Sequence, residues 1–206
     1  MTCLEITAVV LAGGHSSRLG VDKARLKLEG TKTLLENVVE RMQHLSADVV
    51  VVSNEMTEVA GTRCVKDALP DGGPLGGLYS GLLAARFVHC FVVACDMPFL
   101  NQRLLRYMAE QSRDYDVLVP RLDEELLDFS LHPLHAIYAK RCLPVIEQVF
   151  ASGSRTIRDI YPMVKTVYLK KDDIARFDHD EFSFFNINTP HDLAQAKMLL
   201  KKYPEL

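Results

Sequence analysis

The sequence predicts a three-layer α/β/α fold whose central sheet is mostly parallel and whose C-terminal part is α+β. Short apolar runs recur along the first half of the chain, and segments with the apolar spacing of helices lie between them. Because continuously apolar strands are buried on both faces, helices must cover both sides of the sheet. The connections between these strands should therefore be right-handed crossovers.

The elements follow from these patterns in chain order. In the first half we expect strands at residues 6–11, 49–53, 90–94 and 117–120, and helices at residues 34–45, 78–87 and 102–111. From about residue 131 the alternation loosens, with strands expected at 134–138 and 166–170 and a helix at 141–150. A final helix should begin at Pro190 with Thr189 as its N-cap, since threonine caps the first turn and proline fits the first helical position.

Composition narrows the class of protein. The 206 residues are 48% hydrophobic and 25% charged, which fits one domain over residues 1–206. A net charge of −3 provides no basic field for nucleic acid, so anionic ligands must meet local cations. Five cysteines without a Cys-x-x-Cys spacing indicate buried thiols rather than disulfides or a zinc site. With no leader-like N-terminus and no apolar run of about 20 residues, the expectation is a cytoplasmic protein without a membrane span.

The segment after the first expected strand, residues 11–23, reads LAGGHSSRLGVDK and has the composition of a phosphate-binding loop. Glycines let backbone N–H groups approach a phosphate, while Arg18 and Lys23 supply positive charge. Its spacing matches neither a Walker A loop nor the dinucleotide motif Gly-x-Gly-x-x-Gly. The alternative is an ordinary glycine-rich connection between a strand and a helix.

Asp96 ends another apolar run and should emerge at the same sheet edge as this loop, because ligands of parallel sheets gather beyond the carboxyl ends of the strands. One carboxylate combined with substrate phosphates is the usual environment of Mg²⁺. The alternative role, capping the helix at residues 102–111, suits Asn101 better because Asn101 is nearer to that helix.

Two further segments could either bind a ligand or simply connect elements of secondary structure. Residues 66–81 form a Gly/Pro-rich loop leading into a helix at about Gly76, where backbone groups could contact a flat base; the alternative is a tight turn before a helix. In residues 184–193, strand alternation would place Asn186 and Asn188 on one face, within reach of one ligand or a metal-bound water. Asparagines before a helix are also common turn formers, and both interpretations stay open.

His132 and His135 are not expected to bind a metal. Their odd separation in a strand would send the two rings to opposite faces, and nothing nearby in the sequence completes a ligand set.

Taken together, five segments resemble the molybdenum cofactor guanylyltransferases of the nucleotidyltransferase superfamily: LAGGHSSRLGVDK at 11–23, Asp67, GPLGG at 73–77, CDMPFL at 95–100 and NINTP at 186–190. The first motif is shared with the wider superfamily, whereas GPLGG and NINTP narrow the resemblance. It implies a Rossmann-like nucleotidyltransferase fold, with a nucleotide-binding half at residues 1–120 and an acceptor-binding half at residues 121–206.

The resemblance also implies an activity, the Mg²⁺-dependent transfer of GMP from GTP to molybdenum-molybdopterin with release of pyrophosphate. Catalytic candidates are Arg18, Lys23 and Asp96, and Asp96 is the metal ligand with Asn186 and Asn188 as further candidates. The GTP-binding candidates are Leu11, Ala12, Gly13, Gly14, Ser16, Lys23, Asp67, Gly76, Gly77 and Asp96. Family members use an asparagine just after the second strand, and the corresponding Val52-Ser53-Asn54 makes Asn54 a candidate.

The acceptor and its partners are less well defined by the sequence. Arg155, favoured over Arg158, is a candidate for the acceptor phosphate; the alternative is a turn with exposed arginines. Other functions left open are transfer from CTP to molybdopterin, transfer from a nucleotide to a sugar phosphate, or a non-catalytic GTP-binding protein that delivers cofactor. Molybdoenzyme maturation proteins are the partner class that the resemblance suggests.

Overall fold

The fold is built on a seven-stranded sheet. The structure is a computed structural model and describes residues 4–13, 26–28, 30–55, 58–69, 71–123, 130–204 and 206. The strands are β1 (Thr7–Leu11), β2 (Asp48–Val52), β3 (Arg63–Val65), β4 (His89–Ala94), β5 (Val117–Pro120), β6 (His135–Ala139) and β7 (Thr166–Leu169). Their order is β3-β2-β1-β4-β6-β5-β7. Only β6 runs antiparallel to its neighbours, β4 and β5, so the expected mostly parallel sheet is confirmed.

Helices cover both faces of this sheet, as the apolar strands require. They are α1 (Leu34–Gln43), α2 (Gly73–Ala84), α3 (Gln102–Ala109), α4 (Leu143–Ala151), α5 (Lys171–Ala175) and α6 (Pro190–Lys202). Alternate residues of β1 face opposite layers, so that Val10 packs with α1 and α3, whereas Val9 packs with α2 and α4. The three-layer α/β/α prediction is therefore confirmed.

Capping residues fix where two of the helices begin. Asn101 accepts hydrogen bonds from the backbone of Arg103 (3.0 Å) and Leu104 (3.1 Å), so it caps α3 as expected. Thr189 and Asp192 form a reciprocal capping box at the start of α6. Because Asn101 is the cap of α3, the Asp96 carboxylate is not needed for that role.

Two expectations about local structure were wrong, and two short elements were missed. Helix α2 begins at Gly73 rather than residue 78, because Pro74 fits its first turn. The short strand β3 and the helix α5 were not predicted, since three and five residues carry too little periodicity. Cys64 is exposed on the edge strand β3, whereas Cys90, Cys95 and Cys142 are buried as expected, and Cys3 lies outside the described residues.

None of the helices in the described ranges is long and apolar enough to cross a membrane.

A buried carboxylate fastens the amino-terminal edge of the sheet. Asp48, whose side chain is 4% exposed, accepts hydrogen bonds from Thr7 Oγ1 (2.7 Å) and Arg63 Nη2 (2.8 Å). The backbone N–H of Arg86 also donates to it (3.1 Å). Burial alone would raise the pKa of Asp48, but these hydrogen bonds outweigh burial and hold the pKa below its usual value. This carboxylate therefore joins β1, β2, β3 and the turn before β4.

We expect Asp48→Ala to lower the free energy of unfolding at pH 7 by about 2 to 3 kcal/mol, because it leaves charged and hydroxyl donors without an acceptor. The folded-state pKa of Asp48 is depressed, so this contribution is present above about pH 4 and disappears as the pH falls through the folded-state value. Urea unfolding of both proteins between pH 7 and pH 2.5 measures the difference.

Asp114→Ala is the matched control, because Asp114 pairs with Lys165 on the surface and its side chain is 85% exposed. It should leave stability essentially unchanged. Equal stabilities of the two variants at pH 7 would contradict the role assigned to Asp48.

Candidate active site

The carboxyl ends of β1, β2 and β4 meet at one edge of the sheet. Just beyond the strands, the backbone N–H of Ala12 donates to Val52 (2.9 Å), and that of Cys95 donates to Leu11 (3.0 Å). The segments that follow these strands therefore start side by side. The expectation that the loop after β1 and Asp96 emerge at the same edge is confirmed.

Helix α2 lies unusually close to β1 because it turns glycines toward that strand. A Cβ atom on Gly81 would lie 2.4 Å from Val9 Cγ1, and one on Gly77 would lie 3.3 Å from Leu11 Cδ1. Moving from Gly81 to Gly77 along the helix therefore follows β1 toward its carboxyl end. This contact directs the N-terminus of α2 to the candidate site.

Gly76 and Gly77 belong to this helix and are buried, which corrects the expectation that a loop reaches about Gly76. The N–H of Gly76 donates to the carbonyl of Gly72 (3.0 Å), so the helix already uses it. The contact of both glycines with a nucleotide stays a prediction. The structure shows in addition that the missing side chains allow Asp67 to approach the helix at Gly76 and Leu11 to approach it at Gly77.

The Asp67 carboxylate is the group that occupies the space above Gly76. A Cβ atom on Gly76 would lie 2.8 Å from Asp67 Oδ2. The other oxygen, Oδ1, accepts hydrogen bonds from the backbone of Leu69 (3.0 Å) and from Ser80 Oγ (2.9 Å). Sequence reasoning missed Ser80, which is 3% exposed; its spacing of four from Gly76 on one helix face was the available signal.

Asn54 lies next to Asp67, although the two are separated by a strand in the sequence. The backbone N–H of Asp67 donates to Asn54 Oδ1 (3.2 Å). Asn54 follows β2, Asp67 follows β3, and the two strands are parallel neighbours. The structure thus brings together two of the candidate nucleotide-binding residues.

Asp96 meets the asparagine segment through the main chain. The N–H of Ile187 donates to the Asp96 carbonyl (2.9 Å), and the Ile187 side chain is fully buried. Asn186 and Asn188 flank this residue, partly buried and exposed respectively. The side chains available in these two segments, one carboxylate and two amides, offer oxygen ligands, which suit Mg²⁺ better than zinc or copper.

The strand expected around Asn186 and Asn188 is absent from this described segment, which corrects the reason for placing them on one face. The backbone N–H groups of Asn188 (2.9 Å) and Thr189 (2.8 Å) donate to the Asp192 carboxylate instead of a strand. The hydrogen bonds that cap α6 therefore determine the backbone conformation here, and the interpretation of these residues as a turn before the helix is the correct one for the backbone. Ligand or metal binding by the Asn186 and Asn188 side chains stays a prediction.

Four candidates of the phosphate-binding loop, Gly14, Ser16, Arg18 and Lys23, lie outside the described residues. Leu11, Ala12 and Gly13 mark where this loop leaves β1, with Gly13 exposed at the edge. Within the described parts of the chain, no three His, Cys, Asp or Glu side chains are grouped to hold a metal. A metal near Asp96 would therefore depend on Asp96, on amides and on oxygens of the ligand.

Arg155 is fastened to the start of α2. Its Nε donates to the Asp71 carbonyl (3.0 Å), its Nη1 donates to the Phe150 carbonyl (3.2 Å), and the guanidinium lies 3.9 Å from the centre of the Phe150 ring. These bonds join the turn after α4 to the loop before α2. Acceptor binding by Arg155 stays a prediction.

The expectation that the rings of His132 and His135 point to opposite faces of a strand was wrong. Neither residue was a candidate metal ligand. His132 precedes β6 in a turn, and both rings pack on Phe184, at centroid distances of 4.7 and 4.6 Å. Burial lowers the pKa of His132 to about 4 and that of His135 to about 3. Both rings are therefore neutral at pH 7; His135 is fully buried, and His132 is partly buried beside it.

Comparisons with known proteins identify the family of the chain. Residues 8–167 match the model of a family described as MobA-like NTP transferase domain. The chain is 38% identical over 198 residues to a probable molybdenum cofactor guanylyltransferase of Pelotomaculum thermopropionicum, covering 95% of this chain and 94% of that protein. It is 31% identical over 199 residues to a molybdenum cofactor guanylyltransferase of Desulfosudis oleivorans, covering 95% and 96%.

A solved structure is similar over the same length. Molybdopterin-guanine dinucleotide biosynthesis protein A from Archaeoglobus fulgidus superposes with a TM-score of 0.81 at 29% identity, covering 96% of this chain and all of that one. The fold and the family that the sequence motifs indicated are confirmed.

We expect Gly81→Ala to destabilise the fold and Gly77→Ala to do so much less. The Gly81 methyl meets fully buried Val9, and such overpacking costs about 1 to 3 kcal/mol, against a gain in helix propensity of up to about 1 kcal/mol. The Gly77 methyl meets only the end of the Leu11 side chain, which can shift. Urea unfolding measures both, and a Gly81→Ala variant as stable as Gly77→Ala would contradict the close packing of α2.

Proposed function

The chain belongs to the family of MobA-like NTP transferase domains, and from this premise we propose that it is a molybdenum cofactor guanylyltransferase. It transfers GMP from GTP to molybdopterin carrying molybdenum, releases pyrophosphate and forms the guanine dinucleotide cofactor. One observation carries the proposal: relatives named as such an enzyme, or as a probable one, match 95% of the chain. It is supported by the described candidate residues for nucleotide and metal, which follow strand ends at one edge of the sheet.

Asp67 is the proposed acceptor for hydrogen bonds from the guanosine part of GTP. An ionised carboxylate accepts only, and guanine N1–H, its amino group and the ribose hydroxyls all donate. The bonds from Leu69 and Ser80 fix Oδ1, and the missing side chain of Gly76 leaves room for Oδ2. A fixed acceptor binds at a lower entropic cost than a mobile one.

We propose that the nucleotide contacts the backbone from Leu11 to Gly14 and the residue Ser16. Arg18 and Lys23 are the proposed cations for its phosphates. Asp96 is the proposed ligand of Mg²⁺, with Asn186 and Asn188 beside it. When bound, Mg²⁺ supplies positive charge to phosphate oxygens. Asp96 places that charge at the end of β4, next to the end of β1 where the loop begins.

The chemistry requires positioning more than proton removal. The nucleophile is an oxygen of the acceptor phosphate, which is already ionised at pH 7, so no general base is needed. This oxygen forms a bond to the α-phosphorus of GTP as the bond from that phosphorus to the pyrophosphate oxygen breaks. The task of the chain is to hold two anions in line and to offset their repulsion. Cytoplasmic location and contacts with maturation proteins stay predictions.

The proposal is tested by pyrophosphate release from GTP, CTP and UTP, each with molybdenum-loaded molybdopterin and Mg²⁺. We expect release that depends on the acceptor with GTP, and at least tenfold less with the other two nucleotides. Rapid release with CTP would assign the same chemistry to a different base. GTP binding without any pyrophosphate release would indicate a delivery protein and overturn the proposal.

Asp67→Asn should weaken GTP binding by about 10 to 100-fold, the cost of about 1.5 to 3 kcal/mol for losing a hydrogen bond to a charged group. Asp114→Asn is the control, because Asp114 pairs with Lys165 on the surface, outside the segments assigned to the nucleotide. Titration with GTP measures both variants. Wild-type affinity in a folded Asp67→Asn protein would remove Asp67 from the nucleotide site.

A further inference from the structure

We propose that Ser183, itself held by Asp178, is a positioning residue that fixes Asn186 relative to Asp96, so that both can serve one Mg²⁺. This inference rests on the function proposed above, which assigns the metal to Asp96. Its basis is a set of contacts between two segments that are far apart in the sequence, the loop that follows β4 and the segment that precedes α6.

The loop after β4 and the segment before α6 are held together at both ends of the loop. At its start, the backbone N–H of Ile187 donates to the Asp96 carbonyl (2.9 Å). At its end, the backbone N–H of Asn101 donates to Ser183 Oγ (2.7 Å), and Asn101 Nδ2 donates to the Phe177 carbonyl (3.0 Å). The two segments therefore lie side by side in opposite directions, and neither can shift along the other without breaking these bonds.

Asn186 lies between these points of contact, after Ser183 and directly before Ile187. The residue before it, Phe185, packs its ring on that of Phe99 in the loop, with the ring centres 5.7 Å apart. Phe99 is 2% exposed, and Ile187 is fully buried. The backbone that carries Asn186 is therefore held against the loop on both sides of this residue.

The Ser183 hydroxyl joins the two segments from within the protein. Ser183 is fully buried, so water does not replace a partner that its hydroxyl loses. Besides accepting the N–H of Asn101, the hydroxyl donates to the Phe99 carbonyl (3.4 Å). One hydroxyl can both donate and accept, and Ser183 uses both capacities on the loop that begins at Asp96.

Asp178 fixes the turn that presents Ser183 to the loop. Its two carboxylate oxygens accept the backbone N–H groups of Phe182 (3.1 Å) and Ser183 (2.8 Å), and Asp178 is 6% exposed. Within this turn Glu181 has a φ of 59°, in the left-handed region that residues other than glycine rarely adopt. The bonds to Asp178 offset the cost of that conformation, so the carboxylate determines where the Ser183 hydroxyl lies.

The relative position of the two segments matters because Mg²⁺ requires a nearly ideal octahedron of oxygens at about 2.0 to 2.1 Å. A displacement of one segment by about 0.5 Å is enough to disturb such a site. Ser183 and Asp178 are buried and are not candidate ligands, so their effect on the metal passes through the backbone of Asn186 and Asp96. Residues that orient metal ligands in this way typically change metal affinity by about 10 to 100-fold.

The test is a calorimetric titration of the whole protein with GTP, once with Mg²⁺ and once with a chelator. By linkage, the ratio of the two affinities reports the strength of the metal site, and we expect Mg²⁺ to raise the affinity of the wild type more than about tenfold. Ser183→Ala should lower this ratio by at least about fivefold and leave the affinity without metal within about twofold. Asp178→Asn keeps the side-chain shape and one acceptor, and should lower the ratio in the same direction.

Ser46→Ala is the matched control for a purely structural effect. Ser46 is 1% exposed, and its hydroxyl also accepts a backbone N–H, that of Asp48 (3.0 Å), and donates to a backbone carbonyl, that of Ile6, at the opposite edge of the sheet. Urea unfolding should show a loss of stability in both serine variants, but only Ser183→Ala should lose the gain in GTP affinity from Mg²⁺. An equal loss in Ser46→Ala would overturn the proposal, and so would a wild-type ratio in folded Ser183→Ala or, if that variant does not fold, in Asp178→Asn.

Failure of the proposed function gives a different result. If the wild type binds GTP and Mg²⁺ but releases no pyrophosphate with the acceptor, the transferase proposal fails. The titration still decides the role of Ser183, because its readout does not need turnover. If Mg²⁺ does not change the GTP affinity of the wild type, Ser183 has no metal site to position, and the present proposal is overturned.

Discussion

The close contact between α2 and β1 is the constraint on which the candidate site depends. Val9 can face the helix at this distance because Gly81 has no side chain there, and Leu11 packs in the same way on Gly77. Gly76 is next to Gly77 and about 100° around the helix, where it admits the Asp67 carboxylate. Glycines on two neighbouring faces of α2 thus set both the packing of the sheet and the position of an acceptor at its edge. A side chain at Gly81 must displace the strand, and one at Gly76 must displace the carboxylate.

The two edges of the sheet treat charge in opposite ways. At the amino-terminal edge, Asp48 is saturated by Thr7, Arg63 and Arg86, so its charge contributes to stability and has no capacity for a ligand. At the carboxyl-terminal edge, the Asp67 carboxylate is held only through Oδ1, by Leu69 and Ser80, while Oδ2 lies above Gly76. A preorganised carboxylate of this kind lowers the cost of binding a hydrogen-bond donor, because the group need not be reordered.

The sequence predicted the large elements well because their burial is complete. The strands β1, β2, β4 and β5 are apolar on both faces, so each can be recognised in the sequence without knowing which strand it pairs with. Contacts between distant residues could not be predicted. The bond from Asn54 to Asp67 depends on the pairing of β2 with β3, which no local pattern reveals. His132 and His135 illustrate a related limit: strand alternation was applied to both, but His132 precedes β6, and both rings pack on Phe184.

The proposed reaction explains why the proposed site needs cations and a metal ligand rather than an acid and a base. Two polyanions must meet with their reacting oxygens in line, so the repulsion between them has to be offset by positive charge. The strand ends supply a rigid frame for this task, because hydrogen bonds from Ala12 to Val52 and from Cys95 to Leu11 fix where the loop after β1 and the segment of Asp96 begin. Groups that are fixed in this way need not be reordered as one phosphate approaches the other, which lowers the barrier to transfer.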